Sequence, residues 1–163
     1  MNKSSLTRPV VGFIVAIACL AGASIEAASK NLLVVTVTKG FRHSSIPTAE
    51  SVLGTLADHS KEFDVDYARN DEELSEKMNP EALKQYDGVI FANTTGDLPI
   101  PNREYFLEWL QSGKAFIGMH SASDTFHGFP KFVGMIGGEF QTHGAQATVI
   151  ARVEDGHHPA CQH

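Results

Sequence analysis

The chain has 163 residues, 42% hydrophobic and 20% charged, with 13 Lys and Arg against 19 Asp and Glu for a formal net charge of −6. These proportions fit one globular domain and exclude a fibrous or disordered chain. The acidic balance argues against a nucleic-acid partner, which needs a basic face.

Residues 1–28 read as a signal peptide. Lys3 and Arg8 supply a positive start, Val10 to Ala23 is an unbroken apolar and small-residue run, and Ser24 to Ser29 is rich in small residues. The run is too short to span a bilayer as a helix but suits an export signal, with cleavage after Ala27 or Ala23. An uncleaved anchor, or a lipoprotein through Cys19, fits the pattern less well. The mature chain, residues 29–163, is therefore expected in the periplasm or outside the cell, with no membrane contact. It retains Cys161 alone, which cannot form an internal disulfide.

From residue 31 onward, apolar runs alternate with helical periodicity. Leu32 to Val37 is β-branched and apolar on both faces, as in a strand covered by helices on both sides. A polar loop, Lys39 to Ser45, precedes Pro47, which suits a first helical turn, and Ala49, Val52, Leu53 and Leu56 follow at helical spacing. Phe63 to Tyr67 alternates as a strand nearer an edge. A polar stretch and a short helix from Pro80 or Glu81 occupy residues 70–86, and Gly88 to Ala92 is a third strand. After a loop, Pro101 or Asn102 opens a helix with Tyr105, Phe106, Trp109 and Leu110 on its inner face, closed by Gly113. Ala115 to Met119 is a fourth strand, Phe129 to Ile136 a helix, and Ala147 to Val153 a further strand. This order predicts an α/β fold with a mostly parallel sheet between helical layers, and chemistry beyond the strands' carboxyl ends.

Four segments carry candidate chemistry. In Gly118-Met119-His120-Ser121-Ala122-Ser123-Asp124-Thr125-Phe126 a buried strand turns at small residues, the layout of a nucleophile elbow. The elbow residue is His120, and no Gly-x-Ser-x-Gly surrounds the serines, which argues against a serine hydrolase. Imidazole serves as base, ligand or nucleophile, with an ordinary pKa of about 6.5. Of the eight histidines, His43, His120, His143 and His158 fall in loops or polar turns. With Asp124 four residues beyond His120, they admit a divalent ion such as Zn2+. That spacing is not diagnostic, and plain surface histidines are the alternative. Lys39-Gly40-Phe41-Arg42-His43-Ser44 is a loop suited to a polar ligand, with Lys39, Phe41 and Arg42 as substrate contacts beside Ser121 and Thr125; the alternative is a solvated loop. Neither a Walker loop nor Gly-x-Gly-x-x-Gly is present, so no nucleotide cofactor is expected. Gly137-Gly138-Glu139-Phe140-Gln141-Thr142-His143-Gly144 offers Glu139 and His143 as acid/base or ligand groups, or is a simple turn.

These segments, with Leu32–Thr38, Tyr86-Asp87-Gly88-Val89-Ile90 and His158-Pro159, follow one another in the order found in the ThuA-like (trehalose utilisation) family. The chain resembles that family, within the class I glutamine amidotransferase-like superfamily, from about residue 31 to the end. The resemblance implies a flavodoxin-like three-layer sandwich and a part in trehalose or keto-sugar metabolism, with a small carbohydrate as partner. It also implies no thiol amidotransferase chemistry, because His120 stands where those relatives carry cysteine. Family domains are usually longer, so the resemblance implies a domain truncated after His158-Pro159. The expected activity is hydrolysis or isomerisation of an oxidised disaccharide, with His120, Asp124, His43 and Glu139 as catalytic groups and His43, His120, His143 and His158 as metal ligands. A non-catalytic sugar-binding domain or an inactive fragment is the alternative.

Overall fold

A computed structural model describes residues 29–145 and 147–161. The signal-peptide reading of residues 1–28 lies outside them. Four parallel strands form one sheet in the order β2-β1-β3-β4: β1 Lys30–Val35, β2 Phe63–Ala68, β3 Gly88–Ala92 and β4 Ala115–Met119. Helices α1 Ile46–Ser60, α2 Asp71–Lys77, α3 Pro80–Leu83, α4 Arg103–Gln111 and α5 Pro130–Ile136 fill the crossovers and follow β4. This is the flavodoxin-like α/β sandwich expected from the alternation of buried strands and amphipathic helices.

Side-chain alternation along β1 shows the layering. Leu33 and Val35 join Val89 and Phe91 in the larger core, which takes Leu74 from α2, Leu83 from α3, Phe106 and Trp109 from α4 and Phe132 from α5. Val34, Ile90 and Ala92 point the other way, onto Ala49 and Leu53 of α1. Successive residues of a strand face opposite sides, so a strand apolar at every position serves both layers. The central strand β3 is buried throughout, whereas β2, at the edge, alternates as its sequence does. Trp109 is core, as its place on the apolar face of α4 demands.

The helix boundaries follow local chemistry. Asn102 caps α4 by accepting from Tyr105 N–H, and Pro47 lies in the first turn of α1. The polar stretch at 70–77 is itself helical: Asn70 accepts from Glu73 N–H, three acidic residues fill the first turn, and Leu74 is buried. One buried leucine in seven residues leaves too little apolar periodicity to read from sequence.

The strand expected at Ala147 to Val153 is absent. Those described residues have no ladder partner, and Val149, Ile150 and Val153 are exposed. An apolar, β-branched stretch gives no strand without a neighbour to accept its backbone hydrogen bonds.

Candidate functional site

The loops leaving β1, β3 and β4 are stitched together beyond the strand ends. Isolated parallel bridges join Thr38 to Thr95 and Gly96 to Thr125. Lys39 N–H donates to Thr95 O at 2.8 Å, and Gly96 N–H donates to Asp124 O at 2.7 Å. The Thr95 hydroxyl donates to Phe41 O at 3.1 Å and accepts from Gly40 N–H at 3.2 Å. The buried hydroxyls of Thr94 and Thr125 meet at 2.8 Å. Gly96 sits at φ 74°, and a Cβ there would lie 2.9 Å from Lys39 Cβ, so glycine is required where these loops touch.

Three non-glycine residues near the strand ends have left-handed backbone: Asn93 (φ 59°), His120 (φ 49°) and Phe126 (φ 56°). Such conformations cost of order 1–3 kcal/mol each and persist only where surrounding structure enforces them. Asn93 Nδ2 donates to Ser45 Oγ at 2.8 Å, and its N–H reaches Met119 O at 3.4 Å, tying the ends of β3 and β4. Phe126 is pinned from below. Its ring is 1% exposed, packs on Phe132 at 5.1 Å, and lies 4.5 Å from the Arg103 guanidinium.

A cavity of about 320 Å³ opens above these loops. His43 and His120 meet on its wall, their rings edge to face with centroids 4.4 Å apart. His43 comes from the loop after β1, and His120 from the elbow after β4, where a five-residue 3-10 turn begins. Asp124, at the end of that turn, also lines the cavity, and its Oδ1 lies 2.7 Å from His127 Nε2. Ser121 Oγ is buried in the cavity wall with no hydrogen-bond partner among the described residues. A buried hydroxyl of this kind calls for a partner from solvent or ligand. Phe41, beside His43, and Phe140, His143 and Ser123 complete the lining.

Of the candidate residues, the structure gathers His43, His120, Asp124, Ser121, Phe41 and His143 around this cavity. It does not bring in the others. Lys39 is ion-paired with Asp71, and Arg42 Nη1 donates to Thr36 O at 2.9 Å. The Thr125 hydroxyl is spent on Thr94. Glu139 accepts from Gly128 N–H at 3.0 Å and from Gln141 Nε2 at 2.9 Å, outside the cavity lining. His158 lies by the C-terminal 3-10 turn Pro159–Cys161, not on the cavity. The four-histidine metal set is therefore not assembled, and no three His, Cys, Asp or Glu side chains form a metal-holding group among the described residues. The exposed Cys161 is likewise outside the cavity lining.

Phe140, Asn93 and His127 were not singled out by residue type. Phe140 was legible only as an aromatic in a glycine-flanked polar segment. Asn93 carried the one local signal, an asparagine directly after a buried strand, where left-handed backbone is tolerated.

No curated protein and no solved structure gives a match to this chain. The profile of the ThuA family, described as Trehalose utilisation, matches residues 31–163. That span contains the whole sheet, the elbow with His120 and both aromatic borders of the cavity, and the chain belongs to the ThuA family of trehalose utilisation.

Proposed function

We propose that the cavity binds one ring of a trehalose-type or keto-sugar substrate, that the protein acts on it after export, and that His43 and His120 move the protons of the reaction. Membership of the family ties the chain to trehalose utilisation in general terms. The observation that carries the finer reading is the contact of two imidazoles from different strand ends, 4.4 Å apart, on a cavity that also exposes the Asp124 carboxylate. Paired bases of this kind perform general acid–base chemistry when a substrate oxygen and a neighbouring C–H lie within hydrogen-bond reach.

In this reading one histidine donates a proton to the carbonyl oxygen of the bound sugar while the other takes the proton from the adjacent carbon. Returning that proton to the former carbonyl carbon, while the first histidine takes the proton from the hydroxyl of the adjacent carbon, gives isomerisation to the neighbouring ketone. Departure of a glycosidic oxygen β to the carbonyl, protonated by the charged histidine while the first histidine takes back the enol proton and the carbonyl re-forms, gives elimination to an enone. Asp124 holds its place through His127 and sets the negative potential beside the histidine that becomes cationic. Ser121 Oγ hydrogen-bonds a sugar hydroxyl, which satisfies the atom. The His120 elbow leaves no thiol for amidotransferase chemistry. Although His43, His120, His143 and Asp124 all line the cavity, no three such side chains among the described residues form a group that could hold a metal, short of the three or four protein ligands that zinc sites use, so no step is assigned to a metal.

The test is incubation of the protein with trehalose and with a 3-keto disaccharide, followed by NMR, with and without chelator. Turnover of the keto sugar that falls at least about a hundredfold in His120→Ala, and falls in Asp124→Ala, supports the reading. Sugar binding without turnover makes this a carbohydrate-binding domain. Activity lost to chelator and restored by a divalent ion brings a metal into the mechanism.

A further inference from the structure

Two phenylalanines border the cavity with an unusual amount of ring in solvent. Phe41 is 69% exposed and Phe140 is 37% exposed, whereas Phe91, Phe106, Phe126 and Phe132 are buried. Each rim ring leans on a cavity histidine: Phe41 on His43 at 4.8 Å and nearly perpendicular, Phe140 on His143 at 6.0 Å. Isolated exposed apolar residues need no explanation. Two aromatic rings on one cavity, beside imidazoles and an unpartnered buried hydroxyl, form the mixture of apolar walls and few polar anchors that binds small ligands. A pyranose matches that mixture. Its axial C–H groups make an apolar face that packs on the electron-rich face of an aromatic ring, and its hydroxyls reach polar groups at the edge.

We propose that Phe41 and Phe140 form an aromatic subsite that packs against the C–H face of a sugar ring, and that Glu139 is the positioning residue that sets Phe140. Phe140 has no sheet or helix to hold it. The Gly137–His143 segment is instead fastened to the elbow turn and the loop after it by two hydrogen bonds, Phe140 N–H to Ser123 O at 2.9 Å and Gly128 N–H to Glu139 Oε2 at 3.0 Å, and Gln141 Nε2 steadies the same carboxylate from within the segment by donating to Glu139 Oε1 at 2.9 Å. Glu139 thus bridges the loop that follows the Asp124 turn and the segment that carries Phe140. Gly128, at φ 68°, presents its N–H to the carboxylate from a turn that favours glycine. This subsite rests on the sugar reading above and adds the residues that would choose a ring with an apolar face.

The experiment is titration of the whole protein with trehalose and its 3-keto derivative by calorimetry and saturation-transfer NMR, alongside Phe41→Ala, Phe140→Ala, Phe140→Tyr, Glu139→Ala and Glu139→Gln. Circular dichroism melts report folding of each variant. Each phenylalanine-to-alanine change is expected to weaken sugar binding about tenfold, and Phe140→Tyr to retain it. Glu139→Ala is expected to weaken binding, and Glu139→Gln to restore it, because the amide oxygen still accepts from Gly128 N–H. Saturation transfer should concentrate on the sugar's axial C–H protons. Sugar binding that is unchanged in folded Phe41→Ala and Phe140→Ala overturns the subsite and leaves the proposed function standing. Should Phe140→Ala not fold, Phe41→Ala and the Glu139 pair still decide. Equal loss in Glu139→Ala and Glu139→Gln removes the positioning role. If the unaltered protein binds neither sugar, the proposed function fails and this subsite with it.

Discussion

His120 and Asp124 stand on the end of β4 and the turn after it, above an aromatic core in which Phe91 meets Phe106 at 5.8 Å, Phe132 at 5.9 Å and Phe126 at 6.2 Å. Phe140 and His143 reach the same cavity from a segment with no regular secondary structure, fastened by two hydrogen bonds, Phe140 N–H to Ser123 O and Gly128 N–H to Glu139. A net contribution of about 0.5–1.5 kcal/mol for each such bond is small beside the burial of one phenylalanine. The elbow wall is part of the framework, and the 137–143 wall is applied to it. The difference predicts that damage to the core removes both walls, whereas damage to the applied wall changes ligand binding and leaves the fold.

The largest expected effect comes from Phe91→Ala. Phe91 is fully buried on the central strand and touches Phe106, Phe116, Phe126 and Phe132. Truncating such a ring costs about 3–5 kcal/mol through lost transfer energy and the cavity left behind. Urea titration should show that loss, and binding at the cavity should vanish with the fold. A cost near 1 kcal/mol would mean that the aromatic cluster does not support the elbow.

Next is Gly96→Ala, which acts where the framework meets the loops. The added methyl would meet Lys39 Cβ at 2.9 Å on a residue held at φ 74°. A cost of about 1–3 kcal/mol is expected, read from the thermal midpoint. The β1 and β4 loops should separate enough to weaken the His43–His120 contact, visible as a change in the imidazole chemical shifts. A neutral substitution would show that the loops are not joined through this point.

What was legible in the sequence divides along the same line. Leu32 to Val37 and Gly88 to Ala92 announced buried strands because runs apolar on both faces have few other uses, and the helical connections then dictated a parallel sheet; Ala115 to Met119 is the fourth strand but lies at the sheet edge with no buried residue. The elbow at His120 followed from an apolar strand breaking into small residues, although that strand proves to be mostly exposed. The partnering of His43 with His120 was legible as a gathering of strand-end loops, but not as a ring contact, since 77 positions separate the residues. Lys39, Arg42 and Glu139 lie outside the cavity lining for a common reason. Residue type shows that a charged group can bind a ligand, but only the fold shows that Asp71, Thr36 O or Gly128 N–H already occupies it. Residues 147–153 are apolar and β-branched enough for a strand, yet a strand's stability resides in its neighbours.

A smaller effect concerns the framework alone. Asp66 on β2 accepts from Lys77 Nζ at 2.7 Å, Tyr86 Oη at 2.7 Å and Tyr67 N–H at 2.8 Å. Burial pushes its carboxyl up, but the hydrogen bonds from Lys77, Tyr86 and Tyr67 together outweigh that and hold its pKa below the usual 3.8. A carboxyl lowered on folding stabilises the native state above its unfolded pKa. That contribution is lost as pH falls from about 3.8 through the lower folded value. Tyr86 works at the other limb: burial, then the Asp66 bond, raises its pKa above the usual 10.0, so its contribution is present below pH 10 and lost above it. Because the Asp66 side chain is 47% exposed, solvent screening keeps its share below about 1 kcal/mol. Asp66→Asn should flatten the acid limb of a stability–pH curve by that amount and leave sugar binding at neutral pH unaltered. A change in binding would show that the applied wall senses the far end of the sheet.

The smallest effect is expected at Ile150→Asp. Ile150 is 95% exposed and Val149 82% exposed, in a stretch with no ladder partner among the described residues. A side chain already in water gives up no transfer energy when it becomes charged, so the change in stability should stay within about 0.5 kcal/mol. The free edge of β4 makes this substitution informative beyond its size. Unpaired strand edges attract other β-branched segments, and 147–153 is such a segment in the same chain. If Ile150→Asp costs more than about 1 kcal/mol, the stretch is packed against the framework rather than lying on water. The contrast between the two walls would then end before residue 147 instead of continuing to the last described turn. Amide hydrogen exchange along β4 separates the outcomes, because an edge left in solvent exchanges within its own strand before the central β3 does.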